Sequence, residues 1–219
     1  MRRTRRAPRF DRAAGAACLS KGIEQLGLSV GERDQSRLLD YIGELAAWNA
    51  THNLTAVRDP ADMVVRHLLD CLAIAGHIDG ARVADVGTGA GLPGLVLAVL
   101  APETEFLLIE SNQKKAAFLR HARRTLGLGN VEVMAARVED CQVPAPLDWI
   151  VTRAFASAAQ TVHHAGSLIG PETRVGLMKA RAFEAEAADL PAGFRQIADH
   201  ALRVPGLDEI RRLVVIARD

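Results

Sequence analysis

Apolar residues are spaced in two ways along this chain. Before residue 80 they recur at three- and four-residue steps, and Leu38, Leu39, Ile42, Leu45 and Ala46 form the stripe of an amphipathic helix. A second helix start is written in Arg58-Asp59-Pro60-Ala61-Asp62. Asp59 can cap free N–H groups, Pro60 suits the first helical position and Asp62 complements the dipole. The helix so begun carries Val64, Val65, Leu68, Leu72 and Ile74, and its partner face is expected to be the sheet that follows. From residue 82 short apolar runs alternate with helical stretches, the signature of a parallel sheet covered on both faces. This predicts strands over Arg82–Val86, Glu105–Glu110, Val131–Ala135, Asp148–Thr152, Arg174–Lys179, Phe194–Leu202 and Arg211–Ala217. The last two are joined through Pro205 and Gly206 without room for a crossover helix, so they should be antiparallel neighbours. The fold class is α/β, divided into an arm over residues 1–16, a helical segment over 17–79 packed on the core, and the core itself over 80–219.

The 219 residues, 49% hydrophobic and 24% charged, suit one sizeable core. No apolar run reaches the roughly 18 residues a bilayer requires, and the longest, Leu92 to Leu100, contains Pro93 and Gly94. A soluble protein without membrane contact is expected. Cys18, Cys71 and Cys141 stand far apart without a C-x-x-C pair, which fits small buried side chains in a reducing cytoplasm. The net charge of +1 hides an asymmetry. From Met1 to Arg12, six arginines (Arg2, Arg3, Arg5, Arg6, Arg9, Arg12) face one acid, Asp11, which leaves the rest of the chain acidic. Such an arm can hold nucleic-acid phosphates, or be a solvated terminus, or both. No apolar stretch follows it as in a secretory leader, since Ala13 to Ser20 is small residues with one leucine.

The strongest motif is Asp85-Val86-Gly87-Thr88-Gly89-Ala90-Gly91-Leu92-Pro93-Gly94, where a strand turns into a helix. Gly87, Gly89 and Gly91 let the chain turn tightly and let a ligand approach the backbone, and Pro93 fits the first helical turn. Glu110, at the end of the next strand, can accept hydrogen bonds from both ribose hydroxyls of an adenosine cofactor. Gly89, Gly91 and Gly94 also satisfy the dinucleotide pattern G-x-G-x-x-G. Asp85 favours the other reading, because a pyrophosphate would bring negative charge near it whereas S-adenosylmethionine brings a sulfonium and an ammonium. Seven strands ending in a hairpin are the usual order of Rossmann-like S-adenosylmethionine-dependent methyltransferases.

From about Trp48 onward the chain resembles the bacterial 16S rRNA guanine-N7 methyltransferases, also called glucose-inhibited division protein B. The marks are Trp48-Asn49 with Asn53-Leu54-Thr55; Arg66-His67-Leu68-Leu69-Asp70; the glycine loop ending in Leu-Pro-Gly; Leu108-Ile109-Glu110-Ser111 with Lys114-Lys115 and Phe118-Leu119-Arg120; Arg137-Val138-Glu139; Thr152-Arg153-Ala154-Phe155-Ala156; and Arg212-Leu213-Val214-Val215-Ile216. The resemblance implies cofactor contacts at Gly87, Leu92, Val138, Glu139 and Arg153, all after strand ends, where ligands of such sheets lie. With those contacts, Glu139 can accept from the adenine amino group while Val138 packs the ring edge, whereas the residues alone read Glu139 as a surface acid beside Asp140. Two places depart from the family: Lys179-Ala180 stands for Lys-Gly, and Arg211-Arg212 for Arg-His. Neither is expected to touch the cofactor loop.

The activity so implied is methylation of N7 of the guanine at position 527 of 16S rRNA, in the small subunit or an assembly intermediate, by a cytoplasmic monomer. Guanine N7 has an in-plane lone pair and no proton to lose, so catalysis should rest on alignment and electrostatics. No general base is assigned, and Arg153 is the one candidate for a direct role. Lys114, Lys115, Arg120, Arg123 and Arg124 give one helix a basic face that can grip rRNA or merely be solvated. His67, one turn from Asp70, lines the substrate side or serves as a cap or core residue. No metal is assigned, because adjacent helical side chains such as His163 and His164 diverge. Aromatic content of 4% argues for recognition of one exposed base in folded RNA over extended stacking. The rivals are a small-molecule methyltransferase, a nicotinamide-dependent reductase and a non-catalytic RNA-binding assembly factor.

Overall fold

Apolar residues of β1 (Arg82–Val86) are buried on both faces of the strand, and that places β1 at the centre of a seven-stranded sheet. The computed structural model describes residues 10–180 and 183–219. On one side of β1 lie β2 (Glu105–Ile109) and then β3 (Val131–Met134). On the other lie β4 (Trp149–Arg153), β5 (Arg174–Lys179), β7 (Arg211–Arg218) and, at the edge, β6 (Phe194–Leu202). β1 to β5 are parallel, and β7 runs antiparallel to both β5 and β6, as the short Pro205-Gly206 connection requires. The edge strand β6 bulges between Gln196 and Ala198, where Ile197 is exposed. A bulge of this kind twists an edge away from further pairing.

Alternate residues of the strands feed two cores. Val83, Phe106, Leu108, Trp149, Val151, Leu213 and Val215 face α2 (Glu32–His52), α5 (Gly94–Leu100) and α6 (Gln113–Thr125). Ala84, Val86, Ile109, Ile150, Leu177, Val214 and Ile216 face α7 (Ala158–His164) together with Phe183, which precedes α8 (Glu184–Ala187). The strand at Trp149–Arg153 lies one residue later than expected, and the carboxylate of Asp148, just ahead of it, accepts from the backbone N–H groups of Ala81 and Arg82.

Two expectations before the sheet need correction. Helix α1 already begins at Arg12 and runs to Gln25, so residues 12–16 are helical and not part of an arm. Asp11 caps its first turn, and Arg12 donates to Asp40 at 2.6 Å and to Ser36 Oγ at 2.8 Å. The remaining arginines of the arm, Arg2 to Arg9, lie outside the described residues. The helix capped by Asp59 is also not regular: α3 (Pro60–Met63) opens into a π-helical turn over Val64–Leu69 and closes as α4 (Asp70–Leu72). The carbonyl of Arg66, inside that turn, accepts from Arg153 Nη1 at 3.1 Å, so a group from β4 occupies part of the loosened backbone ladder. Val64, Leu68, Leu69 and Leu72 nevertheless join the core against the sheet, as the apolar spacing requires.

Candidate active site

The glycine loop after β1 is clamped by two acids. Asp85 is fully buried, and its Oδ2 accepts from Thr88 Oγ1 at 2.6 Å and from Gly94 N–H at 2.7 Å, tying the loop's start to the first residue of α5. Its Oδ1 has no hydrogen-bond partner, and burial pushes the carboxyl up to about 6. Asp85 therefore lies beneath the loop and does not line the crevice as a direct contact. Glu110 accepts from Gly89 N–H at 3.0 Å and from Asn112 N–H at 2.8 Å, which leaves further lone pairs of the carboxylate for a ligand. Pro93 sits one position ahead of the helix, at the cap, and not inside the first turn.

Gly87 has a φ of +64°, and a Cβ there would come within 2.2 Å of the Phe155 ring. No side chain fits between loop and ring. A clamp that sequence reasoning missed comes from α2: the hydroxyl of the single tyrosine, Tyr41, donates to Ala90 O at 2.8 Å. It sits within the apolar stripe of Leu38, Leu39 and Ile42, and only the tertiary fold brings it to the loop, 49 residues along the chain.

The loop opens on two cavities that share Gly87, Lys115 and Ala154. The smaller, about 380 Å³, is bounded by Glu110, Ser111, Val138, Glu139 and Phe155. A 3-10 turn over Val138–Asp140 turns Val138 inward and leaves Glu139 at the rim, where it pairs with His164 Nδ1 at 2.5 Å. A backbone N–H and His164 hold the Glu139 carboxyl below its ordinary range. His163 and His164 do not diverge as expected at the end of α7, since their rings meet edge to face at 5.5 Å. Among the described residues, no group of three or more His, Cys, Asp or Glu side chains is placed to hold a metal ion.

The larger cavity, about 560 Å³, runs from Gly87 and Leu92 to the π-helical turn. Its wall is an ion-pair network around buried Asp70, which accepts from Arg153 Nη1 at 3.1 Å and from Arg211 Nε at 3.2 Å. His67 lies beside it, with Nδ1 2.9 Å from Arg66 O and Nε2 2.9 Å from Thr55 Oγ1. Thr55 Oγ1 already accepts from Val57 N–H, so its own hydrogen is available to Nε2 while Nδ1–H donates to the carbonyl. Burial and the neighbouring Arg153 push the imidazole down to about 4, so His67 is neutral at physiological pH. Arg211 and Arg212, not expected to touch the cofactor loop, line the cavity onto which it opens. The connection is Asp70, which bridges β4 and β7.

The basic face of α6 is divided by the direction of the helix. Lys115 lines both cavities and Lys114 is exposed beside it at the N-terminal end. Arg123 and Arg124 lie in the last turn, roughly 14 Å further along. Arg123 donates to Leu128 O and borders a different cavity, with Arg82 and Glu105, at the opposite ends of the strands. Arg120 is exposed between the two ends. Only the first turn therefore belongs to the crevice, because a helix following a parallel strand must run back across the sheet.

Comparison with known proteins agrees with this architecture. A family model described as rRNA small subunit methyltransferase G matches residues 34–215. A relative of that name from Nitrosospira multiformis is 46% identical over 212 residues, covering 93% of this chain and 97% of its own. Another from Burkholderia lata is 41% identical over 222 residues, with 98% and 97% covered. Among solved structures, a glycopeptide N-methyltransferase complexed with S-adenosyl-L-homocysteine superposes with a TM-score of 0.56 at 12% identity, over 70% of this chain and 87% of its own. A Streptococcus agalactiae protein of the NADB-Rossmann superfamily gives 0.56 at 15% identity, over 68% and 67%. Those likenesses establish the Rossmann-like fold, and the match over most of the sequence establishes the lineage: the chain belongs to the rRNA small subunit methyltransferase G family.

Proposed function

We propose that the protein transfers the methyl group of S-adenosylmethionine to N7 of one guanine, at position 527 of 16S rRNA, acting as a cytoplasmic monomer on the small subunit or an assembly intermediate. The observation that carries this reading is the charge of the loop. Two of the side chains that clamp it are acids, and Asp85 keeps one buried carboxylate oxygen without a donor. A diphosphate would face that charge unfavourably, whereas a ligand bearing a sulfonium and an ammonium complements it. The residues present fit such a ligand. A Cβ at Gly89 would meet only Gly87 O at 3.9 Å, so the loop is open there to a close approach.

When bound, S-adenosylmethionine supplies an electrophilic methyl on positively charged sulfur. Glu110 has acceptor capacity for ribose hydroxyls, Val138 offers an apolar surface to the adenine edge, and Glu139 offers a carboxylate to its amino group. Gly87 stands where the two cavities meet, Leu92 lines the larger one, and Arg153, fixed by Asp70, presents its remaining N–H donors to a carboxylate. Guanine N7 needs no deprotonation. The neutral His67, engaged on both ring nitrogens, accordingly holds Thr55 and the π-helical turn in place.

The test is a transfer assay with labelled S-adenosylmethionine on small subunits from cells lacking this modification, followed by mapping. One N7-methylguanine, at position 527, is expected. Label at another base, or cofactor binding without transfer, overturns the reading.

A further inference from the structure

Among the described residues, six cations line the larger cavity: Arg66, Lys115, Arg153, Lys179, Arg211 and Arg212. Four are compensated by carboxylates. Asp70 holds Arg153 and Arg211, Glu186 holds Lys179 at 2.8 Å, and Asp199 holds Arg212 at 2.6 Å. Arg66 and Lys115 have no carboxylate or hydrogen-bonding partner for their charged ends among the described residues. Their backbones are nevertheless fixed. The carbonyl of Arg66 is bound by Arg153, and the N–H of Lys115 donates to the Asn112 cap at 3.2 Å. The two uncompensated charges thus project from anchored points on separate elements, the π-helical turn and the first turn of α6.

That pattern complements a ligand whose reacting part enters a crevice of compensated charge while its own negative groups stay at the rim. A nucleotide within a chain has this form: the base can enter, and the phosphates on either side remain outside. We propose that Arg66 and Lys115 each hold one backbone phosphate flanking the target guanosine. The inference rests on the rRNA reading above and adds to it the groups that orient the strand. Arg66 suits bidentate phosphate contact, and Lys115 acts as a point charge.

The test compares wild type with Arg66→Gln, Lys115→Gln and the double variant. Binding to unmodified small subunits is measured between roughly 50 and 200 mM salt, and S-adenosylmethionine affinity by calorimetry. Each single change should reduce the slope of log affinity against log salt by about 0.7–0.9, and the double by about twice that, as phosphate contacts are lost. Cofactor affinity should stay within about twofold, and Arg66→Lys should retain the slope. Unchanged slopes in the variants overturn the clamp. So does a Lys115→Gln loss confined to cofactor affinity, which would place that lysine on the cofactor's carboxylate. Failure of the wild type to bind subunits at any salt would instead sink the functional reading.

Discussion

His67 and Asp85 carry opposite proton balances on folding. The imidazole is pushed from 6.5 down to about 4, and the carboxyl from 3.8 up to about 6. For His67, stability is fully present above the unfolded value of 6.5 and is lost as pH falls towards 4, because only the unfolded chain gains the proton. For Asp85, the contribution is present below 3.8 and is lost as pH rises through 6, because only the folded chain retains the proton. Between pH 4 and 6 the two effects oppose each other. Shifts of this size correspond to roughly 3 kcal/mol each. Urea unfolding at pH 7.5 and 4.5 should show His67→Gln losing less stability on acidification than wild type, and Asp85→Asn losing more. Comparing the two pH values within each variant cancels the contacts that the substitution itself removes. A His67→Gln protein with the wild-type pH dependence would show that the imidazole is not held neutral by the fold.

At the scale of elements, the turn between β1 and α5 combines a left-handed residue with an aromatic lid. Gly87→Ala places a Cβ where φ is +64° and the Phe155 ring is already in contact. The backbone cost alone is roughly 1–2 kcal/mol. Calorimetry should show S-adenosylmethionine affinity falling at least about tenfold, with partial recovery in Gly87→Ala/Phe155→Ala, which removes the ring and keeps the strain. Wild-type affinity in the single variant would remove the loop from the cofactor site. The loop, its two acids and the central strands were legible in the sequence, since burial on both faces writes such strands as continuous apolar runs and a tight turn demands glycine, while the exposed edge strand β6 was legible from its short connection to β7. The π-helical turn was not, because Arg153, which binds Arg66 O, is 87 residues away. Arg211 reaches the site for a similar reason, through a carboxylate 141 residues distant. Periodicity also marked one face of α6 as basic without telling which end meets the crevice, and only the crossover direction decides that.

For the molecule as a whole, residues 1–9 carry five arginines and no acid, so the remainder has a net charge of −4. The structure divides what the sequence treats as one arm. Asp11 caps α1 and Arg12 ties it to α2, whereas residues 1–9 lie outside the described residues. Truncation at two places separates these roles. Removing residues 1–9 leaves the Asp11 cap intact and should not change the thermal midpoint. Removing residues 1–12 also deletes the cap, worth about 1 kcal/mol, the half-exposed Arg12–Asp40 pair, worth less than about 1 kcal/mol, and Phe10, a partly buried ring packed on the core. Its midpoint should fall by more than the roughly 2–4 °C that about 1 kcal/mol represents in a chain of this length. Both truncations should weaken binding to small subunits, and the loss should be larger at 50 mM than at 200 mM salt, since released counterions drive phosphate contacts most at low ionic strength. Equal losses at the two salt concentrations, or none, would show that the five arginines make no phosphate contacts. The strand would then be held by the body alone, despite its negative charge.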